Sequence, residues 1–213
     1  MDPSGDLFIE AGDAPVRLAL PGADVVYHAR LDDWPRAPDV LLRDLIEQIP
    51  WRQQTIRIAG QARLQPRLTA WYGDAGTRYT YSGLTLDPAP WTPLLEQIRA
   101  TVQARSGHVF NSVLLNHYRD ERDAMGMHSD NEPELGEQPV IASVSFGAVR
   151  TLVFQPRKDR VANAGAFRLP LASGSLLLMA GDTQHNWKHG VDRERAPCGP
   201  RVNLTFRRIF ARS

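Results

Sequence analysis

The sequence predicts a mainly β fold with flanking helices, a sandwich or barrel for which a jelly roll is the expected form. Three observations point there. From Ser112 onward, six short segments have strand-like composition and are separated by Gly, Pro and Asn turns. Only two segments, both before residue 108, keep apolar residues at helical spacing. A chain of 213 residues is long enough for one domain with a sizeable core.

Taken in order, the acidic start through about residue 20 reads as a loosely ordered tail. Asp39 then offers an N-cap to a segment whose Leu41, Leu42, Leu45, Ile46 and Ile49 keep helical spacing, with Pro50 just beyond it. Residues 51–90 alternate short polar and apolar pieces and hold Trp71, Tyr72, Tyr79 and Tyr81, which reads as hairpins and loops. A second helix is capped by Thr92, carries Pro93 in its first turn and Leu95, Ile98 and Val102 on one face, and stops at Gly107. The six strands expected after it are Ser112 to Tyr118, Val140 to Phe146, Thr151 to Gln155, Phe167 to Leu169, Ser175 to Met179 and Arg201 to Phe210. There is no internal repeat and no low-complexity tract.

The net charge of +1 conceals an uneven distribution. Residues 1–47 hold ten acids against four bases, whereas residues 48–80 hold Arg52, Arg57, Arg63, Arg67 and Arg78 against Asp74 alone. Residues 157–213 carry eleven bases and four acids. Clustered arginine suits phosphate contact, because guanidinium groups grip phosphate in a two-pronged geometry and displace counterions; a merely solvated basic face fits the same pattern. The single cysteine, Cys198, cannot form an intrachain disulfide and fits a reducing compartment, so a cytoplasmic protein is expected. Apolar runs such as Leu176 to Met179 are too short for a membrane span, and the first thirty residues lack the apolar stretch of a secretion signal.

Two constellations can do chemistry. His128 and Asp130 are two residues apart, so in extended backbone they share a face and can meet one ion, and a second histidine from a distant strand would complete a facial triad that leaves positions open for oxygen. His185 competes with His189 for that third place. Gly181 and Gly190 bracket a short piece directly after a strand, which favours a loop re-entering a strand with one imidazole facing inward. The second constellation is Arg201, Asn203, Thr205 and Arg207, all on one face of a strand whose other face is Val202, Leu204 and Phe206. Periodicity alone buries the apolar set and shows the arginines to water. The inverted arrangement, with the polar face lining a barrel, is tolerable if a dicarboxylate neutralises both arginines, and Asn116 and Tyr118, also two apart, would add polar contacts.

The stretch from Asn116 through Asp130, the segment Ile141 to Gly147 and the end Pro200 to Arg208 resemble the AlkB dioxygenases, nearest to the branch that acts on double-stranded DNA. The markers N-x-Y, H-x-D, a later His and R-x-N-x-x-x-R occur in order, and with Tyr72 to Leu86 the resemblance covers about residues 55–210. It implies a double-stranded β-helix, or jelly roll, divided into an N-terminal tail and helix (1–50), a nucleotide-recognition lid (51–90) and a helix plus catalytic core (91–213). The implied activity is Fe(II)- and 2-oxoglutarate-dependent oxidative dealkylation, with O2, of 1-methyladenine- and 3-methylcytosine-type lesions in DNA, a direct repair of damage.

Residue by residue, the resemblance implies His128, Asp130 and His189 as iron ligands, with Arg201, Arg207, Asn203, Asn116 and Tyr118 holding 2-oxoglutarate. Tyr81 takes the place of the lid aromatic that stacks on a flipped base, with Tyr79 nearby. Glu132 falls where the family places an acid, and a carboxylate there would attract a cationic methylated base. Ile58, Ala59 and Gly60 fall where a bulky finger replaces the flipped base, and Ala59 stands where an aromatic is expected. A methyl group cannot fill that void, so single-stranded or mismatched DNA is the expected preference, with Arg57, Arg63 and Arg67 contacting phosphates. The partner is alkylated DNA, the protein a monomer without membrane attachment. Rival readings are the same chemistry on RNA or protein, and a non-catalytic nucleic-acid-binding jelly roll.

Overall fold

The computed structural model describes residues 14–58, 61–77, 79–81 and 84–210, with backbone alone for 56–58, 79–81 and 84–86. In chain order the elements are β1 (Val16–Arg17), β2 (Asp24–His28), α1 (Pro38–Gln48), β3 (Thr55–Ile58), β4 (Gln61–Leu64), β5 (Leu68–Gly73), β6 (Tyr79–Tyr81), β7 (Leu84–Leu86), α2 (Pro93–Ser106), β8 (Ser112–Tyr118), β9 (Met125–His128), β10 (Ile141–Gly147), β11 (Arg150–Pro156), β12 (Phe167–Leu171), β13 (Ser175–Ala180), the one-turn helix α3 (Thr183–Asn186), β14 (Trp187–Val191) and β15 (Arg201–Arg207).

Two antiparallel sheets carry the fold. The larger has the order β1-β2-β13-β10-β15-β8-β5, and the smaller β12-β11-β14-β9. Period-two alternation sorts the large sheet's side chains into two environments. On one face Val202, Leu204 and Phe206 join Ala142, Val144 and Phe146, with Leu41 and Leu45 of α1 and Leu95, Ile98 and Val102 of α2, in one core cluster. The other face supplies Tyr27, Tyr118, Ile141, Leu177 and Met179 to a second cluster, which the small sheet completes with Leu152, Phe154, Trp187 and Val191. The molecule is therefore layered as helices, large sheet and small sheet, the facing sheets forming a jelly roll. No described helix is long and apolar enough to cross a membrane.

The helices follow from local chemistry. Thr92 caps α2 by accepting from the Leu95 amide, Pro93 occupies the first turn, and Gly107 closes the helix in the left-handed region at φ 71°. The cap expected for α1 is displaced: Ala37 is the N-cap, without a side-chain bond, and Asp39 lies inside the first turn. Pro38 explains the shift, since its fixed φ and missing N–H suit the first helical position, and Asp39 then acts on the helix dipole.

The tail expected through residue 20 does not hold for its described end. Val16 and Arg17 pair with Tyr27 and Val26, and Leu18 and Leu20 are buried, because Val16, Leu18 and Leu20 alternate like a strand. The last strand ends at Arg207, not Phe210: its partner β8 begins at Ser112, opposite Arg207, and the Ile209 and Phe210 amides turn to Asn111 Oδ1 and the Glu134 carbonyl. Residues 51–90 do form hairpins, β3 with β4 and β6 with β7, but β5 between them is the edge strand of the large sheet. Gly147 fixes the turn between β10 and β11: its φ is 100°, and a Cβ there would lie 2.3 Å from the Pro200 carbonyl oxygen.

Candidate active site

His128 is the last residue of β9 and stands directly opposite His189 of β14. That juxtaposition places the two rings 4.4 Å apart between centroids. The pairing carries a bulge between His189 and Val191, where the irregularity re-aims side chains near the ring pair. Gly190 makes the approach possible, since a Cβ on it would come within 2.8 Å of the Met125 carbonyl oxygen. Asp130, just beyond β9, completes the cluster, and the ligand atoms of the three residues all lie within 4.8 Å of one another.

Each ligand is prepared for a cation. His128 Nδ1 lies 3.0 Å from the Gly126 carbonyl oxygen, which only accepts, so Nδ1 carries the proton and Nε2 presents its lone pair. Burial pushes His189 down to about 3, so its imidazole is neutral and able to ligate. Burial opposes ionisation of Asp130, but the positive charge facing it, that of Arg207 first, outweighs burial and holds the carboxyl below the usual carboxylate range. Arg207 Nη2 donates to Asp130 Oδ1 at 2.7 Å, while Asp130 Oδ2 is buried without a hydrogen-bond partner. An orphaned anionic oxygen between two imidazoles fits a divalent ion. His185 is not part of this arrangement, as its Nε2 turns to the Glu137 carbonyl.

The pocket beside the cluster, about 400 Å³ with its open mouth, is lined by Tyr118, Ser143, Arg201, Asn203, Thr205 and Arg207 among others. Both faces of β15 are buried, and the reading that turns its polar face inward holds: the apolar face packs on the helices, and the polar face lines this pocket instead of meeting water. Arg201 is 1% exposed, donates from Nη2 to Ser145 Oγ, and lies 5.1 Å above the Tyr118 ring. Among the described residues, its Nε and Nη1 are buried without hydrogen-bond partners. Burial lowers its pKa, with Arg150 adding to the effect, and an anionic ligand in the pocket would supply a counter-charge. Asn203 is tied down, donating to Ser143 Oγ and the Val144 carbonyl and accepting from Thr205.

Other expected site residues lie elsewhere. Arg67, expected at a phosphate, is 5% exposed and donates to Asn116 Oδ1 at 2.7 Å; residues 66–67 are folded inward ahead of β5. Asn116 is fully buried on the pocket side of β8. Glu132 is half-buried ahead of the turn Pro133–Leu135, with Oε2 buried and unpartnered. Tyr79, Tyr81 and Ile58 are described by backbone alone, in β6 and at the end of β3, while Ala59 and Gly60 lie outside the described residues.

Two buried polar residues outside the sequence motifs also support the site's surroundings. Gln184 is fully buried on α3, and its Oε1 accepts from the Asp130 amide at 2.9 Å, linking the segments that carry Asp130 and His189. Arg150, 1% exposed, lies 5.5 Å from the Tyr118 ring on β8 and donates to the carbonyls of Asp120, Asp123 and Asp192 and to Glu194. Neither lies in a motif; an isolated buried polar residue leaves no periodic signal.

The chain matches the model of the 2OG-Fe(II) oxygenase superfamily over residues 25–207. It is 43% identical over 178 residues to the alpha-ketoglutarate-dependent dioxygenase alkB homolog 3 of Homo sapiens, covering 81% of this chain and 62% of that protein. It is 42% identical over 179 residues to the DNA oxidative demethylase ALKBH2 of Mus musculus, covering 81% of this chain and 75% of that protein. The solved structure of OsALKBH1 superposes with a TM-score of 0.60 at 18% identity, over 92% of this chain and all of that one, a likeness of fold.

Proposed function

Because the chain belongs to the 2OG-Fe(II) oxygenase superfamily, and within it to the AlkB family, we propose that it removes alkyl groups oxidatively from damaged DNA bases, using Fe(II), 2-oxoglutarate and O2. The observation that carries this reading is the pairing of a two-histidine, one-carboxylate cluster with a buried arginine that, among the described residues, has unpartnered donors and no carboxylate. A structural metal site would have no use for Arg201, whereas a dicarboxylate cosubstrate needs both halves.

In this reading His128, Asp130 and His189 hold the iron. Arg201 takes the far carboxylate of 2-oxoglutarate, with Tyr118, Asn203 and Asn116 shaping its pocket. Arg207, which donates to Asp130 and lines the same pocket, keeps that carboxylate ionised and oriented and helps to hold 2-oxoglutarate. The bound iron, with 2-oxoglutarate and O2, supplies the oxidising power to hydroxylate the carbon attached to a base nitrogen, after which that carbon leaves as an aldehyde. The hairpins β3–β4 and β6–β7, both outside the two large sheets, serve as the nucleotide-recognition lid. Tyr81 stacks on the extruded base and Glu132 faces its positive charge. The enzyme works as a monomer in the cytoplasm, with alkylated DNA as its substrate and the same chemistry on RNA as the alternative.

Anaerobic loading with Fe(II) and 2-oxoglutarate, then aerobic incubation with single- and double-stranded DNA and RNA carrying 1-methyladenine, 3-methylcytosine or etheno bases, tests this. Repair of methylated DNA with matching succinate is expected. Tight binding of the oligonucleotides without succinate would replace the enzyme with a binding module.

A further inference from the structure

The position of Arg67 assigns it a different task from the one its sequence neighbourhood suggests. Its guanidinium is 95% shielded and has no carboxylate within ion-pair distance among the described residues. Nε donates to Asn116 Oδ1 at 2.7 Å, and Nη1 donates to the Ala124 carbonyl at 3.3 Å. The Ala124 amide in turn donates to the Pro66 carbonyl at 2.8 Å, so residues 66–67 hold Ala124 from both sides. Ala124 directly precedes β9, which ends in His128.

A guanidinium can only donate, so the bond from Arg67 decides which end of the Asn116 carboxamide faces it. Oδ1 is drawn to Arg67, and Nδ2 points away, buried and without a partner. Asn116 stands opposite Asn203 on β15, two residues from the Tyr118 and Arg201 pair. Directly opposite residues of antiparallel strands share a face, and Tyr118, Arg201 and Asn203 all line the pocket. Asn116, with its orphaned donor, therefore belongs to the sheet face that turns to the pocket where an anionic ligand would sit.

We propose that Arg67 is a positioning residue for the cosubstrate: by fixing the Asn116 amide it presents the Nδ2 donor to a carboxylate of 2-oxoglutarate, and through Ala124 it ties that contact to the strand bearing His128. The assignment rests on the proposed function and adds a residue that touches neither metal nor cosubstrate. It also separates Arg67 from the phosphate contacts expected of its neighbours.

Calorimetric titration of 2-oxoglutarate into Mn(II)-loaded protein without oxygen, alongside binding of a methylated oligonucleotide over a salt series, tests it. Arg67→Met should weaken 2-oxoglutarate about tenfold, the scale of one lost charge-assisted hydrogen bond, and leave DNA affinity and its salt dependence unchanged. Arg67→Lys should recover part of the loss. Asn116→Asp keeps an acceptor for Arg67 but turns the presented donor into an acceptor, and should lose 2-oxoglutarate even if Arg67→Met fails to fold. Unchanged 2-oxoglutarate affinity in Arg67→Met or Asn116→Asp overturns the assignment, as does a shallower salt dependence for Arg67→Met with 2-oxoglutarate untouched. Failure of the unaltered protein to bind 2-oxoglutarate would instead strike the proposed function itself.

Discussion

Arginines line both the wall of the pocket and the hairpin β3–β4, and the two regions hold them in opposite ways. On β15, Arg201 and Arg207 are 1% and 6% exposed, one with unpartnered donors and one bonded to Asp130. On β4 every residue is exposed, and among the described residues Arg63 reaches only its neighbour Gln61, at 3.1 Å. A solvated arginine is screened by salt and worth little individually, whereas a buried one without a counter-charge costs several kcal/mol until a ligand supplies it. Under the proposed function, the wall would take one small anion in one geometry, and the hairpin would make diffuse contacts with a chain of phosphates.

If that contrast is right, substitutions on the wall should be severe and specific, and those on the hairpin mild. The largest effect belongs to the metal cluster: His189→Ala should abolish succinate formation and Mn(II) binding, while His185→Ala should leave both near normal. Loss of metal in His185→Ala with retention in His189→Ala would dismantle the assignment. Next, Arg201→Met should raise the 2-oxoglutarate requirement about a hundredfold, a few kcal/mol, with Mn(II) affinity preserved. Unchanged cosubstrate affinity would return this residue to a structural role.

A smaller effect tests whether the wall's hydrophobic backing tolerates charge. His117, on β8 and 5.1 Å from the Trp51 ring, is buried, and burial lowers its pKa below 6.5. The unfolded chain therefore binds the proton more readily, so stability is full above the unfolded value and falls as pH drops through 6.5 toward the folded one. Thermal unfolding of the metal-free protein should weaken on acidification, and His117→Leu should flatten that dependence. An identical pH profile in the variant would mean that His117 titrates as it does in water.

The smallest effect is expected on the hairpin. Ala59→Phe should narrow the preference for single-stranded over paired DNA by a few fold, a bulky ring replacing part of the stacking lost on extrusion. Faster repair of the duplex by the unaltered protein, with no gain from the substitution, would remove the finger from the picture.

How much of this was legible in the sequence varied with the physics behind each signal. The α2 boundaries were readable because Thr92, Pro93 and Gly107 each act locally, and the pocket face of β15 because alternation survives in extended backbone. The strand β9 was not, since Met125–His128 is short and bulged and does not alternate cleanly. Arg67 misled for a related reason: a cluster of arginines records charge but not direction, and only the fold turns this one inward. Gln184 gave no signal because its bond to the Asp130 amide spans 54 residues.

The coupling of cosubstrate oxidation to base repair is tested most directly by turnover of an oligonucleotide bearing 1-methyladenine under oxygen-18 gas, with the succinate weighed by mass spectrometry. One labelled oxygen atom per succinate, formed in step with unmethylated adenine, is the expected result. Repair without succinate, or succinate whose new oxygen comes from water, would contradict it.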